Sequence, residues 1–304
     1  SIKPDYAEAH NNIGNVLREK KNFKEAMSYF RKALEIKPKF AEAHNNIGIL
    51  FKDQEQFEKA ILHYRKSISI MPKLPNPYNN IGNALRQIGN FDEAVRNFNK
   101  AIEINPNFAD AYNNLALTLQ KQKKYDQALA CYAKAIKINP DFHDAKYNLG
   151  YLQLAIENFA EGWKNHEYRK SKRILTKNLN LKYKKFWNGK KFKGKLLIYG
   201  EQGLGDQIMF SSMLSELLAL HDDISVSVEE RLLPLFRRSF KGINFINNNR
   251  NINNEKFDKY TFIGSLGMLF RKSINDFPKK QKPLLIADSK KIEEIKKYLG
   301  KGSY

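Results

Sequence analysis

The first half of the chain repeats a pattern of apolar, small and polar positions every 34 residues. Apolar residues recur at helical spacing in two short stretches of each unit, and a polar segment such as 20–22 separates the stretches. The units begin at Ala7, Ala41, Pro75, Ala109 and His143. The pattern predicts two helices per unit and a stack of such pairs, because one pair alone cannot bury its apolar face.

Small residues, an aromatic residue and a proline at fixed positions predict how each pair packs. In the first unit, Gly14 and Ala26 let the two helices approach closely, Phe30 fills the space beside them, and Pro38 ends the second helix. The fifth unit departs from this pattern, having Gly162, His166 and Arg169 in place of an alanine, an aromatic residue and an alanine. We therefore expect a degenerate last repeat that serves as a cap or docks the next domain.

These positions resemble the tetratricopeptide repeat family. The resemblance is carried by the triad Asn-Ile-Gly (Asn-Leu-Ala or Asn-Leu-Gly in later units), the two alanines, the aromatic residue and the final proline. It implies an α-solenoid over residues 1–170. It also implies that the first helix of each unit lines a concave face that binds a protein or peptide.

The sixth position of every unit is an asparagine, namely Asn12, Asn46, Asn80, Asn114 and Asn148. An amide offers one acceptor and two donors, so a row of amides can hold the backbone of an extended polypeptide. The row is similar to the asparagine ladder of O-linked N-acetylglucosamine transferases. The alternative is that these asparagines cap or bridge adjacent helices. If the ladder binds a partner, replacing Asn46, Asn80 and Asn114 by Ala is expected to weaken binding and leave the fold intact.

After a basic linker over residues 171–194, strand and helix patterns alternate. The expected strands are 195–199, 224–228, 243–246 and 259–263, and amphipathic helices are expected over 208–218 and 231–240. The alternation predicts a Rossmann-like α/β domain over residues 195–304. Ligands of such sheets bind beyond the carboxyl ends of the strands.

A glycine-rich turn follows the first of these strands. Its candidate ligand residues are Glu201, Gln202, Gly203 and Gly205, because glycines let backbone N–H groups approach a ligand and a helix N-terminus favours an anion. Asp206 occupies an expected N-cap position. The order Gly-x-x-Gly-x-Gly matches neither the dinucleotide fingerprint nor a P-loop. A tight turn with an aspartate cap is therefore the alternative.

Residues 187–189, 194–198 and 201–208 together resemble bacterial proteins that join tetratricopeptide repeats to a glycosyltransferase-like domain, and the turn resembles that of the lipopolysaccharide heptosyltransferases. The resemblance implies the N-terminal, acceptor-side half of a GT-B enzyme. It makes Asp206 the candidate base, Gly203 and Gly205 the cleft wall, and Gln202 a contact to sugar or phosphate. We expect a fragment that is catalytically incomplete and has no cofactor of its own. The complete enzyme would use a nucleotide-sugar donor.

The net charge of +21 brings nucleic acid and anionic membranes into consideration. Lysine far outnumbers arginine, which argues against specific nucleic-acid recognition. Ten basic and no acidic residues lie within 171–195, so the segment is either a solvated linker or a peripheral membrane contact. No apolar run is long enough to span a membrane, and histidine and cysteine show no metal-ligand spacing. The single cysteine leads us to expect a cytoplasmic location.

Three functions remain open at this stage. The leading one is protein or peptide binding by the repeats, coupled to a glycosyltransferase. The alternative is a non-catalytic scaffold with an inactive α/β domain. The third is a basic protein that associates with nucleic acid or a membrane.

Overall fold

The protein is described by a computed structural model over residues 6–171, 185–201, 203–248, 257–279 and 284–299. It divides into two compact units, Ser1–Leu152 and Gln153–Tyr304. This division falls within the fifth sequence repeat, whereas the sequence pattern places the boundary after residue 170.

The first unit consists of helix pairs that keep the 34-residue period. The pairs are α1 (Ala7–Glu19) with α2 (Phe23–Ile36), α3 (Ala41–Asp53) with α4 (Phe57–Ile70), α5 (Pro75–Gln87) with α6 (Phe91–Ile104), and α7 (Ala109–Lys121) with α8 (Tyr125–Ile138). A further helix, α9 (His143–Ala155), begins the fifth repeat and runs across the division between the units. Every first helix begins at the residue that the sequence pattern predicts.

Each helix pair is joined by a turn with one residue in the left-handed region. These residues are Lys21, Glu55, Gly89, Lys123 and Glu157, with φ of 61°, 59°, 82°, 60° and 63°. In the first turn, the Asn22 N–H donates to the Leu17 carbonyl at 2.9 Å, which closes the end of α1. Only Gly89 adopts this conformation without a Cβ penalty.

The small residue of the first helix lies directly against the aromatic ring of the second. A Cβ atom on Gly14 would lie 2.6 Å from Cε1 of Phe30, and one on Gly82 would lie 2.6 Å from Cε1 of Phe98. Both rings are fully buried. The structure thus confirms that these glycines allow the close approach of the paired helices.

The second unit contains α10 (Phe159–His166) and a short 3-10 helix (Glu167–Ser171), followed by a parallel sheet. Its strands are β1 (Lys185–Phe186), β2 (Leu196–Tyr199), β3 (Ile224–Val228), β4 (Asn244–Asn247) and β5 (Lys259–Phe262). The strand order is β1-β5-β2-β3-β4, and every neighbouring pair is parallel. This five-stranded sheet is compatible with an α/β domain.

After β1, the α-helices in the described part of the second unit are α11 (Leu204–Ser211), α12 (Leu214–Leu220), α13 (Leu233–Ser239), α14 (Leu266–Phe270) and α15 (Ser289–Leu299). The sequence predicts one helix over 208–218, but the chain breaks between α11 and α12. There, the N–H groups of Ser212 and Met213 donate to carbonyls three residues earlier, and the Ser211 hydroxyl bonds to the Ile208 carbonyl. These tighter bonds end the first helix.

Apolar residues from α10 belong to the core of the second unit. Phe159 and Trp163 pack in one cluster with the buried strand residues Ile198 and Val226. The Trp163 ring lies against Gly267, where a Cβ atom would clash, and its Nε1 donates to the Arg271 carbonyl at 2.6 Å. These contacts explain why α10 is part of the second compact unit although it follows the repeat pattern.

Candidate functional site

The sixth-position asparagines form a hydrogen-bonded row across the first helices of the repeats. In four of the five, the side-chain Nδ2 donates to Oδ1 of the fifth-position asparagine in the preceding repeat. The pairs are Asn46 with Asn11 (2.9 Å), Asn80 with Asn45 (2.9 Å), Asn114 with Asn79 (3.0 Å) and Asn148 with Asn113 (3.1 Å). We call the five sixth-position residues the asparagine row.

Burial separates the two positions in three of the four pairs. The acceptors Asn11, Asn79 and Asn113 are buried at 6–7% exposure. The row is more open, since Asn12 is exposed and the other four members are half-buried. Each inter-repeat bond uses one of the two N–H donors of a row amide, so an acceptor and a second donor remain for a further partner.

The Asn–Asn bonds change the expected effect of replacing row asparagines by alanine. Alanine at Asn46, Asn80 and Asn114 would remove three bonds between repeats and leave three acceptors, two of them buried, without their donors. A buried polar group without its partner costs about 1–3 kcal/mol. The triple replacement is therefore expected to lower stability as well as binding. The asparagines that make these bonds do bridge adjacent helices, which was the alternative to the peptide ladder. Each bridging bond uses one N–H donor of the amide and leaves the other donor and the acceptor for a partner.

The glycine turn lies at the carboxyl end of β2, as the strand pattern predicts. Gly203, with φ −64° and ψ 171°, is the N-cap of α11, and Asp206 lies in the first turn of that helix. The expectation that Asp206 is the N-cap is wrong, because the helix begins two residues earlier. An acidic residue in the first turn still stabilises the helix through its dipole. Gln202 lies outside the described residues.

Open space surrounds the two glycines that precede Asp206 in the turn. A Cβ atom on Gly205 would meet nothing within 4 Å, and one on Gly203 would meet only the Asp206 carboxylate, at 3.9 Å. Asp206 is half-buried, and both glycines are exposed. Packing against the described residues therefore does not require glycine at either position.

Glu201 differs from the rest of the turn because its carboxylate is paired with an arginine. Its side chain is fully buried, and Oε1 accepts from Nε and Nη2 of Arg169 at 3.0 and 2.8 Å. Nη1 of Arg169 donates to Glu167 at 2.6 Å. The Ser265 hydroxyl accepts from Nη2 of Arg169 at 2.9 Å and donates to Oε1 of Glu167 at 2.8 Å. We call Glu167, Arg169, Glu201 and Ser265 the buried ionic cluster. It ties the 3-10 helix after α10 to the carboxyl ends of β2 and β5.

Burial and the neighbouring charge act in opposite directions on the pKa of Glu201. Desolvation raises the pKa of Glu201 above its ordinary value, while Arg169 and the Gly264 N–H oppose that rise. The second carboxylate oxygen of Glu201 makes no hydrogen bond with the described residues. The repeat pattern contains one sign of the cluster: Arg169 stands at a position where the other repeats have a small side chain. Its partners are not visible in the sequence.

The basic segment is described only from Lys185 onward, so Lys172–Lys184 lie outside the described residues. Phe186 is exposed in the edge strand β1, whereas Trp187 is buried and its Nε1 donates to the Lys190 carbonyl at 2.8 Å. In the described part of the chain, no three acidic, histidine or cysteine side chains are placed to hold a metal ion. No helix there is long and apolar enough to cross a membrane.

Comparison with known proteins identifies the repeats. The family described as tetratricopeptide repeat matches residues 7–40, 41–74 and 109–142, and a profile described as TPR repeat matches residues 82–123. These segments are therefore tetratricopeptide repeats, as the sequence predicted. Neither profile covers residues after 142.

One curated relative and several solved structures are similar to the chain. Protein FlbA of Caulobacter vibrioides is 33% identical over 145 residues, which cover 42% of this chain. That match spans about a quarter (24%) of the length of FlbA. The structure of PilF from Pseudomonas aeruginosa has a TM-score of 0.51 at 22% identity, covering 54% of this chain and 75% of PilF. The likeness to PilF shows an α-solenoid of tandem helix pairs.

Two further structures are more distant. A MamA structure has a TM-score of 0.46 at 24% identity and covers 55% of this chain and 96% of MamA. YrrB, described as a TPR protein with an unusual peptide-binding site, has a TM-score of 0.43 at 21% identity. That match covers 56% of this chain and 87% of YrrB.

Proposed function

We propose that the tetratricopeptide repeats of residues 7–142, together with α9, bind an extended segment of another protein along the asparagine row. The observation that carries the proposal is the chain of Asn–Asn bonds between repeats. These bonds fix four of the five row amides at regular intervals, and each of the four keeps one acceptor and one donor for a partner. The concave face of the solenoid is the proposed location of the bound segment.

The spacing of the row suits a polypeptide backbone. Packed helices lie about 8–10 Å apart, and an extended chain advances about 3.3 Å per residue. Successive row amides would therefore meet the bound backbone about once every three residues. Such contacts bind the peptide group itself, so they depend little on the side chains of the partner.

Backbone methylation of a bound peptide tests this mode of binding. A capped twelve-residue peptide is first selected from a degenerate library on the intact chain and then resynthesised with one N-methyl group at each position in turn. We expect losses of about three- to tenfold in affinity at positions about three residues apart, the equivalent of one hydrogen bond. Alanine replacements in the same peptide should have smaller effects. Uniform tolerance of N-methylation would contradict the proposal.

We propose further that residues 195–304 form the acceptor side of a glycosyltransferase of GT-B type. Asp206 is the candidate base at the open end of β2. Its carboxylate would accept the proton of an acceptor hydroxyl as the oxygen attacks the sugar carbon and the nucleotide diphosphate departs. The open space at the glycine turn beside Asp206 supports the role of Asp206 as base. Glu201 holds the turn in place through its bond to Arg169. The repeats would present the acceptor polypeptide.

The transferase proposal is tested on the natural protein, expressed from its own gene. The selected peptide, carrying Ser and Thr, is incubated with UDP-, GDP- and ADP-sugars, and its intact mass is measured. The proposal predicts the addition of one sugar and its loss in Asp206→Asn, with peptide affinity unchanged. Full activity in Asp206→Asn would show that Asp206 is not the base. The absence of transfer from every donor, with peptide binding retained, would favour the non-catalytic scaffold.

A further inference from the structure

Two histidine side chains of the second repeat face each other between its two helices. Nδ1 of His44 on α3 lies 3.4 Å from Nδ1 of His63 on α4. The ring centroids are 5.6 Å apart, with an angle of 40° between the ring planes. Both residues are half-buried. They lie 19 positions apart in the chain, so a search for ligand spacing along the sequence does not reveal the pair.

The packing of the second repeat holds the two rings in place. Gly48 follows His44 by about one helical turn. It lies directly against the ring of Tyr64, which is adjacent to His63 in the chain. The Phe51 ring packs against the His63 ring at a centroid distance of 5.4 Å. The close approach of α3 and α4 therefore fixes the positions of both histidines.

The distance between the two nitrogens fits a shared metal ion. An N–H group in a protein normally lies about 2.7–3.2 Å from the oxygen that accepts its hydrogen bond, so 3.4 Å is long for a hydrogen bond. Two imidazole ligands at about 2.0–2.1 Å from a tetrahedral Zn²⁺ ion have their nitrogens about 3.3–3.4 Å apart. Ligands at a right angle, as in square-planar or octahedral sites, would bring the nitrogens to about 2.8–3.0 Å. The observed distance matches tetrahedral coordination.

The protonation of the pair also suits a metal ion. Burial is the main cause that lowers the pKa of both histidines, that of His63 to about 4, and the Lys66 ammonium acts in the same direction. Both rings are therefore neutral at about pH 7, and neutral imidazole is the form that binds metals. Binding through both Nδ1 atoms requires each ring to carry its proton on Nε2. Lys66 would repel the ion, but it is exposed and solvent screens its charge.

We propose that His44 and His63 form a binding site for a single Zn²⁺ ion, which links α3 to α4 in the second repeat and keeps water at its remaining coordination positions. The site is independent of the proposed peptide binding. Zinc sites with fewer than four protein ligands leave positions open for water or another ligand. The ion binds the folded repeat and not the unfolded chain, so it stabilises the solenoid by mass action.

The other repeats supply variants that keep the packing. The first repeat has His10 and Tyr29 at the same two positions, and their ring centroids are 5.8 Å apart. The third and fourth repeats have tyrosine at the position of His44. His44→Tyr and His63→Tyr each remove one ligand and introduce a residue that another repeat already has there. His10→Gln is the matched control, because the other position of that repeat holds no histidine.

Zinc binding is measured by calorimetric titration of the intact chain with zinc chloride in a buffer that does not bind metals. We expect one Zn²⁺ ion per chain. The dissociation constant should rise at least about tenfold in His44→Tyr and in His63→Tyr, because loss of even an outer-shell partner weakens metal affinity about 10–100-fold. His10→Gln should bind as the unmodified chain does. Zn²⁺ should also raise the urea midpoint of the repeats in the unmodified chain and in His10→Gln.

A second measurement needs no variant. In nitrogen-15 spectra of the histidine rings, the Nδ1 signals of two of the six histidines should shift together when Zn²⁺ is added. Shifts at Nε2, or at one histidine alone, would overturn the paired site. Failure of the unmodified chain to bind Zn²⁺ would overturn it as well. Unchanged affinity in His44→Tyr or in His63→Tyr would place the bound ion on other residues and contradict the proposal.

Discussion

Replacement of Arg169 by methionine should destabilise the second unit selectively. Arg169 is 1% exposed and is the cation of the buried ionic cluster. Its loss would leave Glu201, whose side chain is fully buried, without a counter-charge. Breaking a buried pair by removing one partner costs about 3–5 kcal/mol. With a urea slope of about 1–3 kcal/mol per molar, the midpoint should fall by about 2 M.

Tryptophan fluorescence reports this change cleanly. The chain has two tryptophans, Trp163 and Trp187, and both are buried in the second unit. Circular dichroism reports mainly the helices of the repeats. Arg169→Met should therefore shift the fluorescence transition and leave most of the dichroism transition in place. Arg231→Met, which breaks an exposed pair with Glu229, is the control and should leave the midpoint unchanged.

The pH dependence of the same variant gives a second test. The raised pKa of Glu201 means that the folded state holds its proton more tightly than the unfolded state does. Stability therefore falls as pH rises from the unfolded to the folded pKa. Because Arg169 opposes this rise, its removal enlarges the effect. The deficit of Arg169→Met should shrink as the pH is lowered from about 7 toward the ordinary pKa of a glutamate, about 4.3. A midpoint that matches the unmodified protein at both pH values would refute the reasoning.

Two further predictions concern the repeats and are measured by urea unfolding followed by dichroism. The buried Tyr64 hydroxyl has no hydrogen-bond partner among the described residues, so Tyr64→Phe should be neutral or stabilising by up to about 1 kcal/mol. Tyr132→Phe should cost about 1 kcal/mol, because the Tyr132 hydroxyl donates to Gln120 at 3.2 Å. Gly89→Ala should cost about 1 kcal/mol because of its positive φ, whereas Lys123→Gly should stabilise by a smaller amount. Effects of opposite sign in either pair would contradict the assigned contacts and turn geometry.

The period of the sequence predicts the repeats well because their contacts are local. Gly14 and Phe30 lie in one unit, so a 34-residue alignment shows both positions together. The Asn–Asn bonds join residues 35 apart, one more than the period, and an alignment in register does not show them. The apolar runs of β2 and β3 are likewise visible locally. The edge strand β1 is two exposed residues within a basic segment and gives no such signal.

The sequence does not predict the buried ionic cluster, because its residues lie far apart along the chain. Arg169 meets Glu201 and Ser265, which are 32 and 96 residues away in the chain. Only the parallel sheet, which brings the ends of β2 and β5 to one edge, places these residues together. The sequence accordingly assigned Glu201 to a ligand turn, whereas the structure engages its carboxylate with Arg169.

Asn12 offers the most direct test of the asparagine row. It is the exposed member of the row and makes no Asn–Asn bond to a preceding repeat among the described residues. Peptide affinity and unfolding midpoint should therefore be measured together for Asn12→Ala, with Asn45→Ala as its counterpart. Asn45 is the acceptor for Asn80 and lies outside the row. We predict that Asn12→Ala weakens binding about three- to tenfold at an unchanged midpoint, whereas Asn45→Ala lowers the midpoint. Unchanged affinity in Asn12→Ala would contradict binding along the row.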